Sequence, residues 1–429
     1  MNSFTFNTTQ KTVLLSLMGL GVLCLALTFF AFDDELHSRF WSNYLHNTVF
    51  FTGIGFMSLF ILAAFTTAMA GWYVQMKRIW ESFSLFMIPG LLLMIPIVIG
   101  LWGDWHHIYH WADAEEVAND PIMQGKKSFL NDTWYTVATV LIVGIWCFFA
   151  WKMRQLSLRE DEEPSTVRNN FRVHKLTRIW SAAFLPIAGF SSAAVIWQWV
   201  MSLDAHWYST LFAWYTAVSW FVGSMALAIL LLIYFKSLGY FERLDANHFH
   251  DLGKFLFGFS IFWTYLWFSQ FMLIWYGNIG EETVYFHTRM EEYPVLFYAN
   301  LALNFVLPFF VLMRNDTKRK YGPMFFAALF IFIGHWLDFF LMIKPGVLHT
   351  AHEIMAHSGG HGAGEAAAHS GGFTAGFTLP GLLEFGTFLG FFALYLYVVF
   401  NRLAAAPLEP VNDVYLEEST HHHVWPYVD

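Results

Sequence analysis

Cysteine and charge are the two things this sequence has least of: two Cys in 429 residues, and charged side chains at only 13% of positions. Cys24 and Cys147 stand alone in separate apolar runs, so the chain contains no CxxC, CxxCH or iron–sulfur spacing. Both read as small buried hydrophobes. The shortage of charge excludes an ordinary soluble domain. With 23 Lys and Arg against 32 Asp and Glu, it also leaves no basic surface for nucleic acid.

In their place are apolar side chains, 57% of the residues with 20% aromatic and a mean hydropathy of +0.46. A helix needs about 20 apolar residues to cross a hydrocarbon core of roughly 30 Å. Ten runs qualify: 12–32, 48–70, 84–103, 133–151, 179–200, 209–235, 254–277, 293–313, 323–343 and 377–400. The chain is thus read as an all-α integral membrane protein with ten transmembrane helices. The first run has one basic residue ahead of it and no small-x-small cleavage pattern, which points to a retained helix rather than a signal peptide. Of the 23 basic residues, 18 fall at the N-terminus, in the loops after even-numbered spans or at the C-terminus. That bias puts both ends in the cytoplasm, with 152–178 as a cytoplasmic connector and 401–429 as a cytoplasmic tail. The Gly-, Ala- and His-rich stretch 346–376 then becomes a mobile periplasmic loop. A weak internal echo, Pro186 twelve residues before Gln198-Trp199 and Pro323 twelve before His335-Trp336, suggests two related bundles.

Five ionisable residues are candidates for a proton path. His335 and Asp338 are one helical turn apart in FIGHWLDFFLMI, so they share a face of the ninth span. An Asp there costs about 2.5–3.5 kcal/mol to insert, and it must face other helices or water. Three readings remain open: a proton relay, a polar contact to bound quinone, or an interhelical clamp with Asp338 protonated or paired to Lys344. Glu384 in the last span, with Thr387 one turn on, is a second station. Asp204 and His206 sit side by side in MSLDAHWYST at the outer surface, either to pass protons outward or with Asp204 capping a helix. Asn300, Asn304, Gln270 and Gln198 read as helix–helix contacts. Bundle haem needs facing histidines, and only His335 lies deep in a span. The same shortage excludes a haem–copper core, and His349, His352, His357, His361 and His369 read as a solvated segment rather than a metal site.

MSLDAHWYST, HWLDFFLMIKPG and the tail EPVNDVYLEESTHHHV together resemble the ActF family, quinone-binding subunit 2 of alternative complex III, among the polysulfide-reductase NrfD-like membrane proteins. The resemblance spans essentially the whole chain. It implies two four-helix bundles plus two further helices in a bacterial cytoplasmic membrane. It also implies a quinol:cytochrome c oxidoreductase in which menaquinol or ubiquinol is oxidised. This chain would bind no cofactor. Iron–sulfur clusters and haem c would reside in partners: an iron–sulfur subunit, multihaem cytochrome c subunits and a sister NrfD-like subunit, with a periplasmic carrier or attached terminal oxidase taking the electrons. The alternative is a stand-alone proton- or ion-coupled transporter, for which matched helix breaks in both halves are the expected sign. The charge bias is directly testable: a cysteine introduced at Ser165 should be shielded from an impermeant thiol reagent in intact cells, and one at Ser370 should react. Labelling of Ser165 from outside overturns the orientation.

Overall fold

The computed structural model describes residues 3–357 and 378–424. Among these there are helices and no strands, and ten helices are long and apolar enough to cross a membrane. They are α1 (Thr8–Ala31), α2 (Ser38–Thr67), α3 (Val74–Trp102), α4 (Asp132–Glu162), α5 (Arg172–Trp199), α6 (Thr210–Ser237), α7 (Ala246–Gly277), α8 (Pro294–Leu312), α9 (Tyr321–His357) and α10 (Leu382–Ala404). Each expected apolar run falls within or largely on one of them.

The ends differ from the runs in a consistent way. α2 begins ten residues before its apolar run and α3 ten before its own, which brings Arg39, His46, Lys77, Arg78 and Glu81 into helices. The residues read as a connector are mostly helical, because α4 extends to Glu162 and α5 opens at Arg172. α9 passes through Pro345 and continues to His357, so the first third of the stretch read as a mobile loop is helix. His361, His369 and the rest of that loop lie outside the described residues. In α2, α3 and α4 the extension carries polar side chains that neighbours bury, and hydropathy alone reads such residues as loop.

Local sequence explains several ends and breaks. Asn7 and Gln10 form a reciprocal capping box that starts α1, and Asn131 caps α4 through the Trp134 N–H at 2.8 Å. α3 breaks at Leu85–Phe86, one turn before Pro89, which has no N–H to continue the ladder. In α8 the turn Ala302–Val306 widens to π geometry just before Pro308, which relieves the clash between the proline ring and the preceding turn.

α2–α5 pack on one another as one group, α6–α9 as a second, and α1 pairs with α10 along the outside against α2 and α3. α2, α6 and α9 form the interface between the groups and are buried over most of their lengths. At the α2–α6 crossing Gly53 makes room for Trp220, whose ring occupies the place of any side chain at 53, and Trp220 stacks on Phe339 of α9 at 5.7 Å. α5 and α9 are each the fourth helix of their groups, but the echo does not fall on matching positions: Pro186 is in the middle of α5 and Trp199 at its end, whereas Pro323 is in the first turn of α9 and Trp336 near its middle. Trp199 donates to Thr139 at 2.9 Å and Trp336 to Asn47 at 3.1 Å.

α1 meets α10 through small residues. A Cβ on Gly21 would lie 2.5 Å from the Gly390 Cα, and one on Gly386 would overlap the Cys24 sulfur. Gly386 and Gly390 form a GxxxG face that lets the two backbones approach closely. The Gly386 Cβ position is 3.3 Å from the Cys24 Cβ, near the ~3.8 Å typical of a disulfide. Gly386→Cys should therefore cross-link to Cys24 under mild oxidation, read as a disulfide-linked peptide pair by mass spectrometry. Two free thiols after oxidation contradict this packing.

Candidate functional site

Asp338 lies in the middle of the second helical group, fully buried. Four neutral donors from three helices surround its carboxyl group. From α6, Tyr215 donates to Oδ1 and Ser219 to Oδ2 at 2.9 Å; from α7, Trp263 Nε1 donates to Oδ2 at 3.0 Å; from α8, Asn300 Nδ2 donates to Oδ1 at 2.8 Å. Trp263 and the Asn300 amide nitrogen have only hydrogens to offer, whereas the two hydroxyls can donate or accept. The set therefore suits an ionised carboxylate with all four donating, and it also suits a protonated one if a hydroxyl reverses.

His335 enters through the same serine. Its Nδ1 lies 2.8 Å from Ser219 Oγ. Ser219 has one hydrogen, so when it donates to Asp338 it must accept from the His335 Nδ1–H. When Asp338 is protonated and donates to Ser219, the serine hydrogen turns to His335 Nδ1. Proton position on the carboxyl and tautomer of the imidazole are thus linked through one hydroxyl. His335 Nε2 is buried with no hydrogen-bond partner among the described residues. Asn304 supports the far side, donating to Asn300 Oδ1 at 2.5 Å.

A small polar cavity adjoins this carboxyl on the side of the C-terminal half of α9. Tyr215 and Asn300 line a cavity of about 20 Å³ with Gln270, Tyr285 and Arg289. That is room for about one water and far below the roughly 300 Å³ of a ligand pocket. Arg289, on the short helix Gly280–Glu291, closes the cavity. It pairs with Asp204 at 2.9 Å and donates to the Leu341 carbonyl at 2.9 Å. Pro345 frees that carbonyl, because it cannot supply the N–H four residues on. Burial works against the Arg289 charge, but the Asp204 carboxylate and then Tyr285 raise its pKa above the ordinary arginine value.

The pairing of Asp338 with Lys344, one of the readings left open, does not occur. Six residues advance a helix by about 600°, so Lys344 points to α2, where Nζ donates to Ser42 at 2.7 Å and Asn43 at 2.5 Å. Glu384 is likewise not a lone acid. Arg39 holds it bidentately at 2.7 and 3.0 Å, with Asn43 at 3.1 Å and the Gly381 N–H at 2.9 Å. Thr387 is buried one turn on, with its hydroxyl unpartnered among the described residues. Beside this network Asp33 accepts from the Arg39 and Phe40 N–H groups at 2.9 and 2.8 Å, yet burial, then the charge of Asp34, push its pKa up to about 6.

Two further expectations are corrected. Asp204 and His206 do not act on each other: the turn Met201–Leu203 aims Asp204 inward at Arg289, while His206 faces outward and pairs with Asp120. Nor does Asp204 cap α6, since Ser209 holds that position. His335 is also not the only deep histidine. His46 on α2 is equally buried, and its Nε2 donates to the Trp336 carbonyl at 2.9 Å.

No protein-family model matches the chain, and no match is found among curated proteins. The residues themselves must carry the reading. The site residues that sequence analysis missed are Tyr215, Ser219, Trp263, Arg289 and Arg39. Two of these carried a signal: Arg39 and Arg289 are among the five basic residues that break the charge bias, and so are Lys126 and Lys344. Lys126 binds the carbonyls of Ala205 and His206 at 2.6 and 3.2 Å, so four of the five exceptions are committed to specific partners.

Breaking the Arg39–Glu384 pair on one side leaves a buried charge uncompensated, at a cost of roughly 3–5 kcal/mol. Arg39→Met should therefore lower the unfolding midpoint in detergent sharply. Arg39→Met with Glu384→Leu should regain most of the loss, whereas simple addition of two losses would show that the pair is not coupled.

Proposed function

We propose that this chain is a membrane subunit of a quinol-oxidising respiratory complex of the ActF type, and that its own task is to carry protons rather than electrons. In this reading both termini face the cytoplasm of a bacterial inner membrane. Menaquinol or ubiquinol is oxidised elsewhere in the assembly. A sister NrfD-like subunit, an iron–sulfur subunit and multihaem cytochromes hold the redox centres. The motif resemblance supports the assembly, and the charge bias supports the orientation.

The observation that carries the proton role is a buried carboxyl held by four neutral donors with no cation among them. A cation would lock the ionised form. Neutral hydroxyls accommodate both forms, so gain and loss of a proton need only a reversal of Tyr215 or Ser219. The adjoining water-sized cavity and the Arg289–Asp204 pair give that proton an outward course, and the cavity is too small for a quinone ring. A stand-alone transporter is the competing reading. Its nearest support is the π turn at Asn304, but the helix there widens without unwinding, and the first group has no matching turn among the described residues.

The test is the intact complex reconstituted in vesicles, assayed for quinol oxidation and proton release, with assembly checked on a native gel. Asp338→Asn should assemble yet lose about tenfold or more in turnover or proton release, equivalent to about 1.4 kcal/mol in the barrier. Tyr215→Phe should act in the same direction, and Asp338→Leu should also impair assembly. Wild-type performance of Asp338→Asn in both assays overturns the relay and leaves a structural clamp.

A further inference from the structure

The first helical group contains a second polar chamber, at the opposite end of the helices from the cavity beside Arg289. It measures about 40 Å³, room for two or three waters. The ends of α2–α5 supply most of its wall, including Lys77, Glu81, Glu160 and His174, with Tyr73 from the loop between α2 and α3. Glu160 Oε1 faces His174 Nδ1 there at 3.6 Å, and neither that oxygen nor His174 Nε2 has a hydrogen-bond partner among the described residues, as expected of groups that internal water can solvate.

The rest of the wall is not transmembrane helix. Asp413 and Tyr415, from the segment that follows α10, close the chamber. That segment crosses the ends of both helical groups and is held mainly by polar contacts. Asp413 forms a buried ion pair with Lys77, and Asn412 donates to the Asp161 carbonyl at 2.6 Å. Further along, Ser419 donates to the Trp72 carbonyl at 3.0 Å, and His422 pairs with Asp251 of α7 at 2.8 Å. Its apolar anchors are few: Leu408, Pro410 and Val424 are buried, and Tyr415 and Leu416 are partly buried against the core. A segment attached by hydrogen bonds, a Lys–Asp pair and a His–Asp pair opens at lower cost than a helix packed through its apolar face.

We propose that residues 405–424 form a lid on this hydrated chamber, with the Lys77–Asp413 pair as its catch, and that release of the lid opens the chamber to the aqueous phase on that side. The inference does not depend on the respiratory reading. Met153 lines the chamber and is itself buried, so it serves as a reporter. In full-length protein in nanodiscs, with Cys24 and Cys147 replaced by Ser, Met153→Cys should react slowly with a charged thiol reagent. Adding Lys77→Glu, which sets two anions face to face at the catch, should speed labelling at least tenfold. Deleting 407–429 should do the same, and the exchanged pair Lys77→Asp with Asp413→Lys should restore slow labelling. Met225→Cys, buried in α6 away from the chamber, reports on general loosening. Equal Met153→Cys rates with the native pair and with Lys77→Glu overturn the lid, and so does an acceleration that Met225→Cys shares. If the deletion variant does not fold, the two charge variants decide the question.

Discussion

Hydrocarbon offers no partner to a polar group, so each charge inside this protein has to be met by another side chain or by the backbone. α9 shows how far that constraint organises the fold. His335 and Asp338 lie on one face and are met by α6, α7 and α8, while Lys344, about 240° further round, is met by α2. Its Leu341 carbonyl, unused because of Pro345, takes Arg289. One helix therefore joins the two groups by polar contacts, and the apolar packing of Trp220, Phe339 and Trp336 fills the space between them.

The two chambers differ in chemistry as well as position. α2 and α6 run in the same direction, so a chamber at the C-terminal end of α2 and one near the start of α6 face opposite sides. Around the first, Glu81 is bound by Arg78 at 2.9 Å and Arg154 at 2.5 Å, an arrangement that fixes the charge of each member. Beside the second, Asp338 has only neutral donors and is the group better suited to change protonation. Ion pairs lie beside both chambers, and the carboxyl held by neutral donors adjoins the second.

The pattern of legibility follows from what hydropathy measures. Long apolar runs located all ten helices, and the His335–Asp338 spacing located the central pair, because a shared helical face needs only the 3.6-residue period. Helix ends were misjudged wherever a polar extension is buried by neighbours, as at Ser38–His46 and Lys77–Ser84. The assignments of Lys344 and Asp204 went astray for a related reason: proximity along the chain says nothing about which neighbouring helix supplies the partner. The most informative signal was the small set of basic residues that depart from the charge bias. Of the five, Arg39, Lys126, Arg289 and Lys344 are held by specific partners, and Lys127 is exposed.

The sequence by itself determined that this chain is a bundle of membrane-spanning helices and that an acid and a histidine share a face inside it. Composition and period suffice for that, since backbone satisfaction in lipid leaves a hydrophobic helix almost no alternative. Tertiary structure alone decided that Tyr215, Ser219, Trp263 and Asn300 converge on Asp338, that Arg39 neutralises Glu384 across 345 residues, and that the C-terminal segment closes a chamber in the first group. Those partners lie on different helices, and the azimuth at which each helix meets its neighbours is set by close packing such as Trp220 over Gly53 and Asn304 over Gly334, which no local pattern in the chain specifies.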